Sequence, residues 1–276
     1  MIRSLLQRRL AERIPEHLRE KLPGSYRVVG TKVLVKLKPE LSGYEREIGE
    51  ALLDLVPGAD SVFLQVAIEG ETRKPRVRWL AGSKESLTLH REAGCRFLVD
   101  VRKFMWSSGN RGERERMKAL VKPGELVVDM FAGIGYWSVP AAVKGAEVVA
   151  AEINPEAAEF LSANAILNRT KVKVLEGDCR ELPGLVEGAD RIIMGYLFET
   201  ERFLPAALEI ARAGTEIHMH RLVGREDAES MVRSVLAEYG IGFSLRKRKV
   251  KSYAPEVDHV VFDIKIKSGK PARKFL

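Results

Sequence analysis

Residues Leu126 to Asn154 read LVVDMFAGIGYWSVPAAVKGAEVVAAEIN, and this stretch decides the fold. Its opening run, Leu126 to Phe131, is too short for a helix and is β-branched at Val127 and Val128. It therefore reads as a buried parallel strand. Gly133 and Gly135 break the run, and a helical pattern follows from about Tyr136 to Lys144. A second apolar run, Val148 to Ala151, ends on Glu152. The order is strand, glycine turn, helix, strand, acid. Two glycines let backbone come close to a ligand, and an acid roughly 20 residues further on can grip a ribose diol.

A dinucleotide site asks for G-x-G-x-x-G. Here the third position after Gly135 is Ser138, and an acid, Asp129, stands just before the turn. That acid would repel a pyrophosphate but attract a ligand carrying an ammonium and a sulfonium. The run Asp129-x-Phe131-Ala132-Gly133-x-Gly135 resembles the first motif of class I S-adenosylmethionine (SAM) enzymes. The plainer reading is a strand-to-helix turn with incidental glycines, but Glu152 standing in register favours SAM.

A chain of 276 residues can hold two domains, or one domain with a sizeable extension. Its 45% hydrophobic and 30% charged content describes a globular protein, and no apolar run approaches the ~20 residues of a membrane span. The N-terminus has no long apolar segment of the secretory kind. Cys95 and Cys179 form no metal or redox spacing, which fits a reducing cytoplasm. The net charge of +8 favours a polyanionic partner. Scarce glutamine beside abundant Glu, Lys and Arg hints at a heat-adapted source.

The segment before the organising stretch is mixed α/β. Leu5, Leu6, Leu10, Ile14 and Leu18 recur at helical spacing, with Pro15 predicting a break or two short helices. Tyr26 to Lys38 suits strands around a Gly30 turn, and Tyr44 to Val56 is helical. Further strands are expected at residues 62–64 and 76–80, and a hairpin turning at Ala93-Gly94. Residues 1–106 are thus expected to be a separate recognition domain, and 107–276 the catalytic one. The loop Gly70-Glu71-Thr72-Arg73-Lys74-Pro75-Arg76 reads equally as a solvated turn or as a phosphate contact through Arg73, Lys74 and Arg76.

Beyond Glu152, Asn154 caps a helix with Pro155 in its first turn. A third strand over residues 171–175 ends at Gly177-Asp178-Cys179, where the acid suits an adenine amino group or, more simply, a cap. A fourth strand covers Asp190 to Met194, followed by a helix from about Thr200 to Arg212 and a fifth strand, Thr215 to Val223. His218 and His220 share a sheet face, read as structural because no third ligand has matching spacing. A helix from about Glu226 to Tyr239 and a final strand pair around Ala254-Pro255 complete the chain.

Several of these stretches together resemble the tRNA guanine-37 group of modification enzymes: Ser107 to Arg114, Asp129 to Gly135, Glu152 to Pro155, Asp190 to Tyr196, Lys251 to Pro255 and the loop at Gly70. The resemblance implies an α/β fold, a class I SAM-methyltransferase (Rossmann-like) domain behind a smaller N-terminal α/β domain. The group has two branches. One methylates guanine 37 at N1; the other, the wybutosine-synthesis branch (TYW2, called Taw2 in archaea), transfers the 3-amino-3-carboxypropyl group of SAM to 4-demethylwyosine in phenylalanine tRNA. After its fourth strand the methylating branch carries Asn-x-Pro; here Met194-Gly195-Tyr196 stands there, which is similar to the second branch, as is Ile217-His218-Met219-His220.

By that resemblance SAM serves as aminocarboxypropyl donor, with no metal. Glu152 would hold the ribose and Asp178 with the Cys179 backbone the adenine, although a side-chain amide could be expected at Cys179. Phe131 and Gly133 to Gly135 would line the nucleoside, with Asp129 before the turn. Ser107 and Arg114 would meet the methionyl end or the base, Arg114 as a guanidinium fork for the carboxylate. The partner is tRNA at position 37 of the anticodon loop, with no membrane and no protein partner implied. Tyr196, Trp137 and Phe198 are candidate stackers, for which burial in the core is the alternative. Arg246, Lys251 and the run between them are candidate backbone contacts. Two other functions stay open: N1-methylation of guanine 37, and RNA binding on a SAM fold without catalysis.

Overall fold

A computed structural model describes residues 1–70, 73–224 and 228–268. Glu71 and Thr72 of the basic loop, and Glu226 at the expected start of the last helix, lie outside the described residues. The chain divides into two compact units, one made of Met1–Glu92 and Arg96–Ser108, the other of Ala93–Cys95 and Gly109–Leu276.

In the first unit, α1 (Ile2–Arg9) and α2 (Glu16–Arg19) are two short helices, parted where Pro15 removes a backbone donor. Strands β1 (Arg27–Val29) and β2 (Lys32–Val35) pair antiparallel. Helix α3 (Glu45–Leu55) then crosses to β3 (Ser61–Glu69), which runs parallel to β2 and antiparallel to β4 (Lys74–Gly82). Leu6, Leu10, Ile48, Leu52, Val33 and Val62 fill the core beneath α1 and α3. Gly49 lets α3 press onto β4, since a Cβ there would lie 2.7 Å from that of Leu80. Strands β5 (Leu87–Glu92) and β6 (Cys95–Asp100) form a separate pair.

The second unit begins with α4 (Arg111–Leu120) and continues as β7 (Leu126–Asp129), α5 (Ser138–Val143), β8 (Glu147–Glu152), α6 (Pro155–Leu167) and β9 (Lys173–Glu176). There follow β10 (Ala189–Met194), α7 (Leu204–Ile210), β11 (Ala211–Val223), α8 (Ala228–Glu238), β12 (Gly242–Ala254) and β13 (Val257–Ser268). The sheet order is β12-β13-β11-β10-β7-β8-β9, parallel from β9 to β11, with β13 antiparallel to both its neighbours. The chain winds outward from β7 to β9, then returns to lay β10 on the other side of β7. In such a sheet the crevice at the reversal, beyond the carboxyl ends of the strands, is the place for a ligand.

Strand β11 differs from the sequence reading. It starts at Ala211, not Thr215, and α7 ends before Arg212. The register jumps from Ala189 opposite Ala211 to Arg191 opposite Glu216. Gly214 supplies φ +96° within this bulge, and Thr215 Oγ1 accepts from Arg212 N at 2.8 Å. The irregularity hides strand periodicity over those residues. No helix of the described residues is long and apolar enough to cross a membrane.

Candidate active site

Four strand ends converge: Asp129 ends β7, Glu152 ends β8, Asp178 follows β9 and Gly195-Tyr196 follows β10. Backbone bonds lace these ends beyond the strands, Met130 N to Ile193 O at 2.9 Å, Ala132 N to Ala151 O at 3.0 Å and Gly177 N to Glu152 O at 3.0 Å.

The glycine turn is required twice over. Gly133 and Gly135 have φ of +55° and +97°. A Cβ on Gly133 would lie 2.6 Å from the Tyr136 ring, and one on Gly135 would lie 2.7 Å from Val139 and 2.8 Å from Leu161. Asn164 pins the turn from α6, its Nδ2 donating to Ile134 O at 2.9 Å. This fully buried amide was not singled out from sequence; a polar residue within an apolar helix is the signal that could have found it.

Asp129 stands beneath the turn and is fully buried. Its carboxylate accepts from Ser138 Oγ at 2.6 Å and Phe131 N at 3.3 Å. Burial, with the charge of Glu152 adding to it, pushes this carboxyl up to about 7. Ser138, which departs from the dinucleotide pattern, is thus the partner of the acid. Glu152 accepts from Gly133 N at 2.6 Å and Asn154 N at 2.8 Å, and burial raises it too. Asn154 caps α6 as expected, accepting from Glu156 N at 3.1 Å.

Asp178 is gripped by a guanidinium that sequence reasoning passed over. Arg180 donates to it through Nε at 3.0 Å, Nη2 at 2.6 Å and its backbone N at 2.9 Å, and this pairing holds the carboxyl below its ordinary range. Cys179 is buried, and burial pushes its thiol up to about 12, so it offers backbone, not thiolate, chemistry.

An aromatic cluster covers the ends of β7 and β10. Phe131 stacks on Tyr196 at 5.3 Å between centroids, and Phe203 meets Phe131 edge-on at 5.0 Å. Phe198, exposed, meets Tyr196 edge-on at 5.8 Å. Trp137 is in the core, tilted against His220 at 5.1 Å. The core alternative therefore describes Trp137's ring, while Tyr196 is half-buried and Phe198 exposed. Met194 is fully buried, so the end of β10 presents neither a side-chain amide nor a proline.

Helix α4 carries Arg114, which is buried, in the second unit, whereas Ser107 is half-buried in the first. A neighbouring ion network fixes α4 to the sheet. Arg116 clamps Asp263 with two bonds at 3.0 and 3.1 Å and also holds Glu113. His218 meets Asp263 at 2.6 Å and Arg191 at 2.5 Å, and Arg191 continues to Glu125 and Glu216. His220 pairs with His259 at 2.9 Å. Both histidines thus have side-chain partners within the second unit. Among the described residues no group of three His, Cys, Asp or Glu is arranged to hold a metal.

The basic candidates lie on the surface. Arg246 is exposed on the edge strand β12, and the Lys251 side chain lies over Gly109, where a Cβ would come within 3.0 Å of its Cδ. In the first unit Lys74 is exposed and Arg76 pairs with Glu69 at 3.2 Å. Arg73 adopts φ +56° with its guanidinium 3.7 Å from Met105 Sδ.

Residues 88–239 match the family model described as the TRM5/TYW2 methyltransferase domain, and residues 6–85 match the TYW2 N-terminal domain. The chain belongs to the TRM5/TYW2 family. It is 40% identical over 274 residues to the tRNA(Phe) (4-demethylwyosine(37)-C(7)) aminocarboxypropyltransferase of Pyrococcus horikoshii, covering 96% of this chain and 97% of that one. It is 33% identical over 260 residues to the tRNA (guanine(37)-N(1))-methyltransferase Trm5b of Pyrococcus abyssi, covering 92% and 78%. Among solved structures, that of M. jannaschii TYW2 in complex with AdoMet matches with a TM-score of 0.68 at 32% identity, covering 89% of this chain and 100% of that one. The Rossmann-like second unit and the smaller α/β first unit are those of this family.

Proposed function

We propose that this protein transfers the 3-amino-3-carboxypropyl group of SAM to C7 of 4-demethylwyosine at position 37 of phenylalanine tRNA. The observation that carries the reading is the end of β10. Met194 is buried and Gly195 has no side chain, so neither offers a polar side-chain atom to guanine N1, while Tyr196 and Phe131 offer aromatic faces suited to a wide, flat base. The 40% identity across nearly the whole Pyrococcus horikoshii aminocarboxypropyltransferase supports the same branch.

The residues present fit SAM. Two left-handed glycines open a backbone cradle between Asp129 and Glu152, and both acids complement a cation. When bound, SAM supplies a sulfonium that activates three carbons, and the carbon facing the nucleophile is the one displaced. Selection is then a matter of positioning. Glu152, held by Gly133 N and Asn154 N, orients the ribose hydroxyls with its remaining lone pairs. Asp178 and the Cys179 backbone take the adenine edge, Arg180 fixing the Asp178 rotamer. Phe131 and Gly133 to Gly135 line the nucleoside, and Asp129 acts from beneath the turn through electrostatics. Arg114 pairs with the methionyl carboxylate.

The target base leaves the single-stranded anticodon loop and stacks against Tyr196. Arg73, Lys74, Arg76, Arg246 and Lys251 contact the tRNA backbone, with the first unit acting as a recognition domain. The free, buried cysteines suit a reducing cytoplasm. The test uses SAM labelled separately in the methyl and in the methionyl carboxylate, with tRNA carrying 4-demethylwyosine. Carboxylate label alone should enter the tRNA; methyl label alone, especially on unmodified transcript, would return the protein to the methylating branch. Retention of neither label despite SAM binding would point to RNA binding without catalysis.

A further inference from the structure

Gly195 is a glycine for a reason that lies in another turn. Its backbone does not adopt the left-handed conformation that would call for glycine. A Cβ built there would instead lie 2.7 Å from Nε1 and 3.2 Å from Cδ1 of Trp137. The indole occupies the space that a side chain at position 195 would fill. It cannot easily retreat: Trp137 is 6% exposed, packed among Met117, Val127, Val148 and Ile193, with the His220 ring on one face.

The indole N–H is a donor and nothing else. Among the described residues it has no hydrogen-bond acceptor. Although the ring is buried, the nitrogen itself keeps some access to solvent, so an acceptor on a ligand can reach it. Trp137 belongs to the segment that carries Gly133, Gly135 and Ser138, whereas Gly195 immediately precedes Tyr196, whose ring stacks on Phe131. The N–H is therefore presented at the seam between the cofactor turn and the strand end that receives the base. Met194 turns into the core there, leaving that strand end without a side-chain polar group of its own before Tyr196.

We propose that Trp137 is a specificity-determining residue. Through the gap left at Gly195, its Nε1–H donates a hydrogen bond to an acceptor atom, a keto oxygen or an unprotonated ring nitrogen, on the edge of a flat heteroaromatic base stacked at Tyr196. Gly195 is the window and the indole is the reader. The inference rests on the reading that β10 ends at the base subsite, and the contact tells the tricyclic base from guanine where the tricycle presents an acceptor in place of guanine's N1–H and 2-amino donors, which an indole N–H cannot pair with.

The test compares full-length wild-type protein with Trp137→Phe, which keeps a ring but removes the N–H, and with Trp137→Phe/Gly195→Ala. Two quantities are read for each: the SAM dissociation constant, and the ratio of affinities for tRNA with and without the tricyclic base. Trp137→Phe should lower that ratio about tenfold, the loss expected for one hydrogen bond, while SAM affinity stays within about twofold. The double variant should show the same lowered ratio, because the N–H is already gone and a methyl at position 195 removes nothing further from the contact. An unchanged ratio in Trp137→Phe, or an equal loss of affinity for both tRNAs and for SAM, would overturn the proposal and leave the indole as packing. The wild-type protein run with doubly labelled SAM keeps the outcomes apart. If it fails to transfer the carboxylate label, the proposed reaction fails whatever Trp137 does.

Discussion

Asp129 gives the sharpest handle on cofactor binding. Burial holds its carboxyl at about 7 instead of 3.8, so in the free protein the anion is disfavoured by roughly 4 kcal/mol and half protonated near neutrality. A bound sulfonium and ammonium would stabilise the anion and draw its pKa back down. Binding should then release a proton, and the SAM dissociation constant should fall about tenfold between pH 6 and pH 8, levelling off above. Asp129→Asn removes the titration and should flatten the profile. Titration calorimetry at several pH values, in two buffers of different ionisation heat, reads both affinity and protons. Stability carries the opposite sign from the usual carboxylate. Because the folded pKa is raised, the folded protein binds more protons than the unfolded chain between about 4 and 7, so this group's favourable contribution is lost as pH rises through that window. A wild-type dissociation constant constant within twofold from pH 6 to 8, or proton uptake on binding, would refute the reasoning.

Three further outcomes follow from named contacts. Gly135→Ala forces a left-handed alanine into Val139 and Leu161 and should cost about 2–3 kcal/mol, read by urea denaturation, with SAM binding weakened in parallel. Asp263 has the depressed pKa of a paired carboxylate: burial alone would raise it, but the hydrogen bond with His218 and the Arg116 clamp hold it at about 2. It should contribute about 2 kcal/mol above the unfolded value of 3.8, lost as pH falls towards 2, and Asp263→Ala should abolish that part of the acid transition while destabilising the protein at neutral pH. Arg246→Ala and Lys251→Ala should each weaken tRNA binding and lower the slope of log affinity against log salt by about one, with SAM affinity unchanged; filter binding across a salt series measures this.

The central architecture was readable because its signals are local. A short β-branched run, two glycines and a second run ending on Glu152 describe the unit β7-α5-β8 without reference to distant residues. Pro15, Asn154 and the turn at Ala254-Pro255 likewise act on their immediate neighbours. The contacts that escaped are long-range. Arg116 meets Asp263 across 147 residues, and Asn164 reaches Ile134 across 30. Phe203 completes the aromatic cluster from a different element than Phe131. Arg180 is only two residues from Asp178, yet an exposed arginine after an acid reads as a solvated charge until its fork is seen. Trp137 shows the limit most plainly. Its sequence neighbours place it beside the cofactor turn, but its packing against His220 and its approach to Gly195 arise only when β10 and β11 are laid beside β7.

The most direct test is to identify what remains of SAM after a single turnover on tRNA bearing 4-demethylwyosine. Loss of the aminocarboxypropyl group leaves 5′-methylthioadenosine, whereas loss of the methyl leaves S-adenosylhomocysteine. The site, with Met194 buried, Gly195 lacking a side chain and Tyr196 stacked on Phe131, predicts 5′-methylthioadenosine in amounts equal to the modified tRNA. S-adenosylhomocysteine as the product would contradict it.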